Sequence, residues 1–327
     1  MEDKMGIIYR QYELDIKDTY KVKGCTVLNT SVGTLVIKPY EGNEMKAQLE
    51  NAVKEHLLNC GYEYVDLIAR NKEGELISYN QYGNPYVIRQ LYDGQECDLH
   101  NEKQVMCGVR ELVRLHKALR SLQLPEELEK KLRCRKIKED MENRLRGIKR
   151  VRRYIVEKKQ KNLFEIEFLK LFREYISQGE QALSLLSDMH LEDEKLDLCH
   201  GSFDQHSIWF LGNGEVTINN FDKVIKCNQA MDMYHFLRKT MEKNEWNIEL
   251  GLEMIEEYMA GIDGKRECLG VIQVFLLFPE KFWKVANQYY NKRKVWVSEK
   301  NQQKINSLTE QSEKRLKFIE AVKEYRI

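Results

Sequence analysis

Residues Leu198–Phe210 read LCHGSFDQHSIWF, and Glu215–Asp222 follow as EVTINNFD. The first stretch opens on a His-Gly pair, crosses a polar loop and enters the apolar run Ile208–Phe210; the second lies beyond Gly212 and Gly214 and ends in Phe-Asp. Apolar runs this short, punctuated by Gly, Asn and Asp, predict two strands joined by a tight turn. The loops at their ends carry His200, Ser202, Asp204, Ser207, Asn220 and Asp222. What these side chains do decides how the whole chain is read.

A chain of 327 residues can bury a large core and divide into two lobes. With 42% hydrophobic and 32% charged residues and only four prolines, its composition is that of a globular protein. The opening MEDKMGIIYRQYELDIK has no apolar signal-peptide centre, and the longest apolar run, LGVIQVFLLF from Leu269, is half a membrane span. The expectation is a protein without a membrane span, made and folded in a cytosol. Eight cysteines are scattered without a CxxC pair, which predicts reduced thiols rather than a zinc site or a disulfide scaffold. His200, His206 and Cys199 lie close in sequence but lack a fourth ligand at suitable spacing, so no metal is assigned.

The front of the chain reads as β-rich and the back as helical. Strands are predicted over Cys25–Leu28 and Thr34–Pro39 around a turn at Thr30–Gly33, followed by a helix over Met45–Asn59 ended by Gly61. ISYNQYGNPYVIRQLYDG offers two more strands across a Tyr-Gly-Asn-Pro turn. Everything after Gln104 is predicted to be helical except the two strands flanking Gly212 and Gly214. His116, on an apolar helix face, reads as a core histidine.

Net charge is +1, yet residues 130–161 hold fifteen Lys or Arg against four acids, a local net of +11. Leu132, Ile137, Met141, Leu145, Ile148, Val151 and Ile155 recur there at helical intervals, which predicts one or two amphipathic helices with a basic face. Such a face is either merely solvated or a dock for an acidic partner. No zinc, RNA-binding or homeodomain-like motif accompanies the charge, so nucleic acid is not the expected partner. Phe282, Trp283, Tyr289, Tyr290 and Trp296 mix with Lys281, Lys284, Lys292, Arg293 and Lys294; half of this set is expected in a helix core and the rest on a surface.

The order of GTLVIKPY, YVIRQLYDGQE, ELVRLHKAL, LCHGSF, INNFD and MDMYHFLRK resembles that of aminoglycoside phosphotransferase-like kinases, and the ending LLFPEKFWKVANQYYNKRKVW resembles the CotS family of spore coat proteins. The resemblance spans roughly Val22 to Glu320. It implies an α+β, bilobal protein kinase-like fold, with a sheet-rich N-terminal lobe over residues 1–93 and a helical lobe over 94–327. It places Lys38 at the phosphate-binding lysine, with Glu50 as its helix partner, although Glu44 and Glu55 lie on the same helix or its approach. That pair would serve either residual nucleotide contact or a lock between helix and sheet. Asp232 resembles the buried aspartate that pins the catalytic loop.

The match breaks at the chemistry. Kinases of this class use HxDxxxxN, whose Asp handles the proton of the attacking hydroxyl and whose Asn helps hold magnesium. Here His200 stands, but Ser202 and Ser207 occupy the other two positions, and the later metal-binding Asp is Asn220. Magnesium prefers anionic oxygen. The glycine-rich phosphate loop is reduced to Gly24 and Gly33. The resemblance therefore implies a pseudokinase with a structural or assembly role, made in the mother cell cytoplasm and placed in the spore coat beside other coat proteins, with no cofactor expected. Two alternatives stand beside it. One is an active ATP- and magnesium-dependent small-molecule kinase in which Asp204 or Asp222 supplies the displaced carboxylate; the other is a nucleotide sensor without turnover.

Overall fold

The computed structural model describes residues 6–22, 24–189, 196–291 and 299–325. Lys292, Arg293, Lys294 and Trp296, expected on an aromatic and basic surface, lie outside the described residues. The chain divides into two compact units that are not contiguous in sequence: Met1–Cys97 with Arg114–Arg133 and His200–Ile225, and Asp98–Val113 with Cys134–Cys199 and Lys226–Ile327. The polar loops around His200 and Asn220 thus belong to the same unit as the N-terminal sheet.

That unit begins with a short helix, α1 (Gly6–Tyr9), and the strands β1 (Ile16–Val22), β2 (Cys25–Thr30) and β3 (Gly33–Pro39). Helix α2 (Glu44–Asn59) precedes β4 (Ser78–Tyr79) and β5 (Pro85–Gln90), and the five strands form an antiparallel sheet ordered β1-β2-β3-β5-β4. The β2–β3 hairpin closes at Thr30 opposite Gly33. The Thr30 hydroxyl donates to the Gly33 carbonyl at 2.7 Å and accepts from the Val32 N–H, so a side chain fastens a turn that has no Asn-Gly pair. α2 starts where the Asn43 side chain accepts from the Lys46 N–H at 3.0 Å.

Neighbouring residues of β5 face opposite sides of the sheet, as the pleat requires. Ile88 packs with Ile8, Tyr12, Leu28, Leu35 and Ile37, whereas Val87 packs with Tyr40, Ala47, Ile68, Leu76 and Ile77. Arg89 lies two residues beyond Val87, on the face that Ala47 of α2 covers. This is how an arginine comes to lie under a helix.

Five three-residue or four-residue strands follow: β6 (Gly94–Glu96), β7 (Asp197–Cys199), β8 (Ile208–Leu211), β9 (Val216–Ile218) and β10 (Ile225–Cys227). β6, β8 and β9 form one sheet and β7 pairs with β10, so β6, β7 and β10 add to the two strands expected around Gly212 and Gly214. The helices α3 (Glu102–Ser121) and α4 (Glu126–Lys131) intervene, and His116 on α3 is fully buried.

The second unit is mainly helical: α5 (Ile137–Glu157), α6 (Leu163–Asp188), α7 (Ala230–Lys243), α8 (Ile248–Ala260), α9 (Lys265–Leu277), α10 (Glu280–Asn291) and α11 (Glu299–Glu324). α5 buries Met141, Leu145, Ile148, Val151 and Ile155, the stripe its periodicity predicts, and exposes Arg146, Lys149, Arg150, Arg152 and Arg153. Phe282 stacks between Phe168 and Tyr175 at 4.9 and 4.7 Å, while Tyr290 is exposed. Asp232 is fully buried at the start of α7. No described helix is long and apolar enough to cross a membrane.

Candidate functional site

Glu50 and Lys38 do not pair. Glu50 Oε1 lies 2.7 Å from Lys54 Nζ and 2.6 Å from Arg89 Nη1, and Arg89 Nη2 donates to Glu50 Oε2 at 3.1 Å. Asp66 completes the cluster, 3.0 Å from Lys54 and 3.4 Å from Arg89. Two cations and two carboxylates therefore close on each other with almost no solvent: Lys54 is 0% and Glu50 1% exposed. Burial opposes the charge on Glu50, but Lys54 and Arg89 outweigh it and hold the carboxyl below the usual glutamate range. Burial, then Glu50, push the Tyr40 hydroxyl well above the usual phenol value, and that hydroxyl donates to Glu50 at 3.4 Å.

The expected Lys38–Glu50 pair fails because Arg89 and Lys54 already saturate the carboxylate. Lys38, on β3 opposite Val87, is half-buried and has no ion-pair partner among the described residues. The other two glutamates considered for it are also engaged. Glu44 accepts the backbone N–H groups of Leu76 and Ile77, and Glu55 accepts from the Asn51 side chain at 2.7 Å.

The loops 200–207 and 219–222 are tied to one another. His200 is fully buried, donates from Nε2 to the Asn219 carbonyl at 2.8 Å, and packs against Phe203 and Phe221. The Asn219 N–H in turn donates to the Ser207 carbonyl at 2.8 Å. Ser207 is 1% exposed, and its hydroxyl donates to the Ser202 carbonyl at 3.3 Å. Asn220 is left-handed, φ 67° and ψ 46°, a conformation Asn tolerates better than most side chains. From there its amide donates to the His206 carbonyl at 3.0 Å, a bond an aspartate at that position cannot make.

Two acids remain near these loops. Asp204 Oδ1 accepts the His206 N–H at 3.0 Å, closing a local turn, while His206 Nδ1 donates to Glu96 at 2.7 Å. Asp222 lies in a 3-10 turn over Phe221–Lys223 and makes no hydrogen bond or ion pair among the described residues. Gly201 has φ +82°, and a Cβ there would stand 2.0 Å from the Lys223 carbonyl oxygen, so the two loops also meet backbone to backbone. Gly24 has φ +82° with open space where a Cβ would project; its turn, not a close approach, requires glycine.

The chain that carries this charge cluster and these tied loops has counterparts elsewhere. The family described as "Spore coat putative kinase YutH" matches residues 5–322. The chain belongs to that family. In structure, it is similar to an aminoglycoside phosphotransferase from Alicyclobacillus acidocaldarius, at TM-score 0.83 and 17% identity over 98% of this chain and 95% of that one. An AMP-bound spectinomycin phosphotransferase, APH(9)-Ia, matches at TM-score 0.66 and 9% identity over 99% and 98% of the two chains. An ethanolamine kinase from Plasmodium vivax matches at TM-score 0.55 and 14% identity over 94% and 83%. Among curated proteins, none matches by sequence. The fold of this spore coat family member is thus the α+β, kinase-like fold of the aminoglycoside phosphotransferases, with a small antiparallel sheet in the N-terminal region and helices in the C-terminal region.

Lys54, Asp66 and Arg89 are the members of the charge cluster that sequence reasoning missed. The signals were present: Glu50 and Lys54 are four apart on one helix face, and Arg89 is a lone charge inside the strand run YVIRQ. Asp66 carries no such mark, because it lies in irregular chain and reaches the cluster only through folding.

Proposed function

We propose that this protein is a non-catalytic kinase-fold component of the spore coat, with a structural or assembly role. The observation that carries the reading is the Asn220–His206 bond. The position expected to present a metal-binding carboxylate instead holds an amide, and that amide is spent on fastening the neighbouring loop. Ser202 and Ser207 likewise offer neutral oxygens, with the Ser207 hydroxyl buried and engaged. Such a donor set is a poor match for magnesium, which is held by carboxylates and phosphates.

General-base assistance alone is worth about 10²- to 10⁴-fold in rate. The purified protein, incubated with ATP, magnesium and a panel of amino sugars, choline-like alcohols and proteins, is expected to turn over no faster than Lys38→Ala. ATP with magnesium is also expected to leave the melting temperature unchanged, since only a ligand that binds the folded state raises it. One observation favours the active-kinase reading: Asp222, two residues after Asn220, is a carboxylate without a partner among the described residues. Turnover that vanishes in Asp222→Ala establishes that reading, whereas turnover that vanishes only in Asp204→Ala assigns the displaced role to Asp204.

The assembly role falls to α5. Arg146, Lys149, Arg150, Arg152 and Arg153 are exposed on the side opposite its buried stripe. Since the whole chain is +1 and this segment +11, the remainder is net acidic, and the protein can present faces of opposite sign to different coat neighbours. Reversing those five residues to Glu in a fluorescent fusion is expected to abolish coat localisation in sporulating cells while leaving the melt unchanged. Normal localisation of the reversed protein makes the face a solvated one.

A further inference from the structure

Within the helical unit, a cavity of about 30 Å³ lies among α6, α7, the α9–α10 junction and α11. Three of its lining residues are cations, Arg238, Lys281 and Arg315, and two are carboxylates, Glu242 and Glu280. Both carboxylates are already claimed. Glu242 lies 2.6 Å from Arg238 and 3.3 Å from Lys281. Glu280 lies 2.6 Å from Lys284 and 3.8 Å from Arg144.

Arg315 has no carboxylate among the described residues. It is 8% exposed, and its guanidinium donates only to neutral oxygens: Gln178 Oε1 at 2.6 Å and the carbonyls of Leu276 and Leu277 at 2.7 and 3.2 Å. Gln178 is itself fixed by a bond to Glu174. Burial holds the Arg315 guanidinium below its usual value, against the opposing pull of the nearby Glu174 and Glu242 carboxylates. Arg238, also 8% exposed, keeps a buried Nε–H that has no hydrogen-bond partner. A buried donor without an acceptor is costly.

Another part of the lining is built at a cost as well. Glu245 and Trp246 are consecutive non-glycine residues with φ of 50° and 60°, and this left-handed pair turns the chain after α7. The indole that results lines the cavity, is 5% exposed and is held by a bond from Nε1 to Gln311 at 3.2 Å. Tyr175 and Phe282 supply further flat apolar surface.

We propose that this cavity is a binding site for a small carboxylate anion. On this scale a water needs about 10–15 Å³, so the space accommodates the two oxygens of one carboxylate. A planar carboxylate matches the fork of a guanidinium, and the flat aromatic walls accept a short apolar substituent. The lining residues carry a net of one positive charge, which the ligand neutralises.

The test uses the full chain and sodium acetate as the probe, titrated by calorimetry against sodium chloride at matched ionic strength. Calorimetry is chosen because excluded salts raise melting temperatures without binding. Acetate is expected to give saturable heat where chloride gives none, with a change in tryptophan emission that disappears in Trp246→Phe. Lys281→Met, at the more open side of the cavity, is expected to weaken acetate several-fold, and Arg315→Gln about tenfold or more, the loss of a charge-assisted pair. If Arg315→Gln does not fold, Lys281→Met decides. Heat that chloride reproduces, acetate affinity unchanged in the folded variants, or sulfate binding as tightly as acetate overturns the proposal.

Discussion

The first compact unit contains two regions where a kinase of this fold concentrates charge, and they have been resolved in opposite ways. Under α2, charged side chains are buried together: Glu50, Lys54, Asp66 and Arg89 close on each other. In the loops around His200 and Asn220, neutral groups do the fastening: an imidazole, an amide, a hydroxyl and backbone carbonyls satisfy one another. Either solution leaves few groups free for a ligand. The difference lies in what each costs to disturb. A buried ion pair is weak evidence of stability when whole, yet breaking it strands a charge; a neutral hydrogen bond contributes little and loses little.

The comparison predicts its own largest effect at Glu50. Glu50→Ala leaves Lys54 and Arg89 buried with one carboxylate between them, and breaking such a pair costs about 3–5 kcal/mol. A chemical denaturation curve of the sheet-containing unit is the measurement; a loss below that of an ordinary surface substitution would make the cluster dispensable. Gly201→Ala comes next. The new methyl meets the Lys223 carbonyl, and the left-handed backbone alone adds about 1–2 kcal/mol, so the same curve should shift clearly. Asn220→Ala is smaller, about 1 kcal/mol for one neutral hydrogen bond, read as a modest fall in melting temperature.

Acid separates the two regions further. The folded-state pKa of Glu50 is depressed, so its contribution is fully present above the ordinary glutamate value of about 4.5 and is lost as pH falls through the lower folded value. Glu50→Gln is expected to flatten the acid limb of the stability profile, whereas Asn220→Ala leaves its shape unchanged. The smallest effect per residue is expected on α5, where single reversals of Arg150 and Arg153 should each stay within about 0.5 kcal/mol, while the five together still move the protein within the cell.

These contrasts also explain what could be read beforehand. The β2–β3 hairpin, α2 and the buried stripe of α5 follow from local periodicity, and the loops around Gly212 and Gly214 from turn chemistry. β1, IKDTYKV, escaped because six of its seven residues are exposed, so alternation gives no apolar signal. β6, β7 and β10 are three residues long, shorter than any pattern can register. At the site, His200 meets the Asn219 carbonyl 19 positions away, a contact that no local pattern marks. The partner of Glu50 was misplaced because the competing cation, Arg89, is 39 positions away, and only the register of β5 against β3 brings it under α2.

The amide of Asn220 also bears on the routes open to mutation. Changing Asn220 to aspartate by itself sets a carboxylate against the His206 carbonyl and removes a donor, so a first step toward a metal ligand loosens the loop that would have to support it. Ser207→Asn faces a similar barrier, because the larger side chain must enter a buried position. Gains that need both changes, and whose single steps each carry a penalty, are strongly epistatic. A loop closed by such mutual bonds behaves as a ratchet: easy to enter by successive neutral losses, hard to leave one substitution at a time.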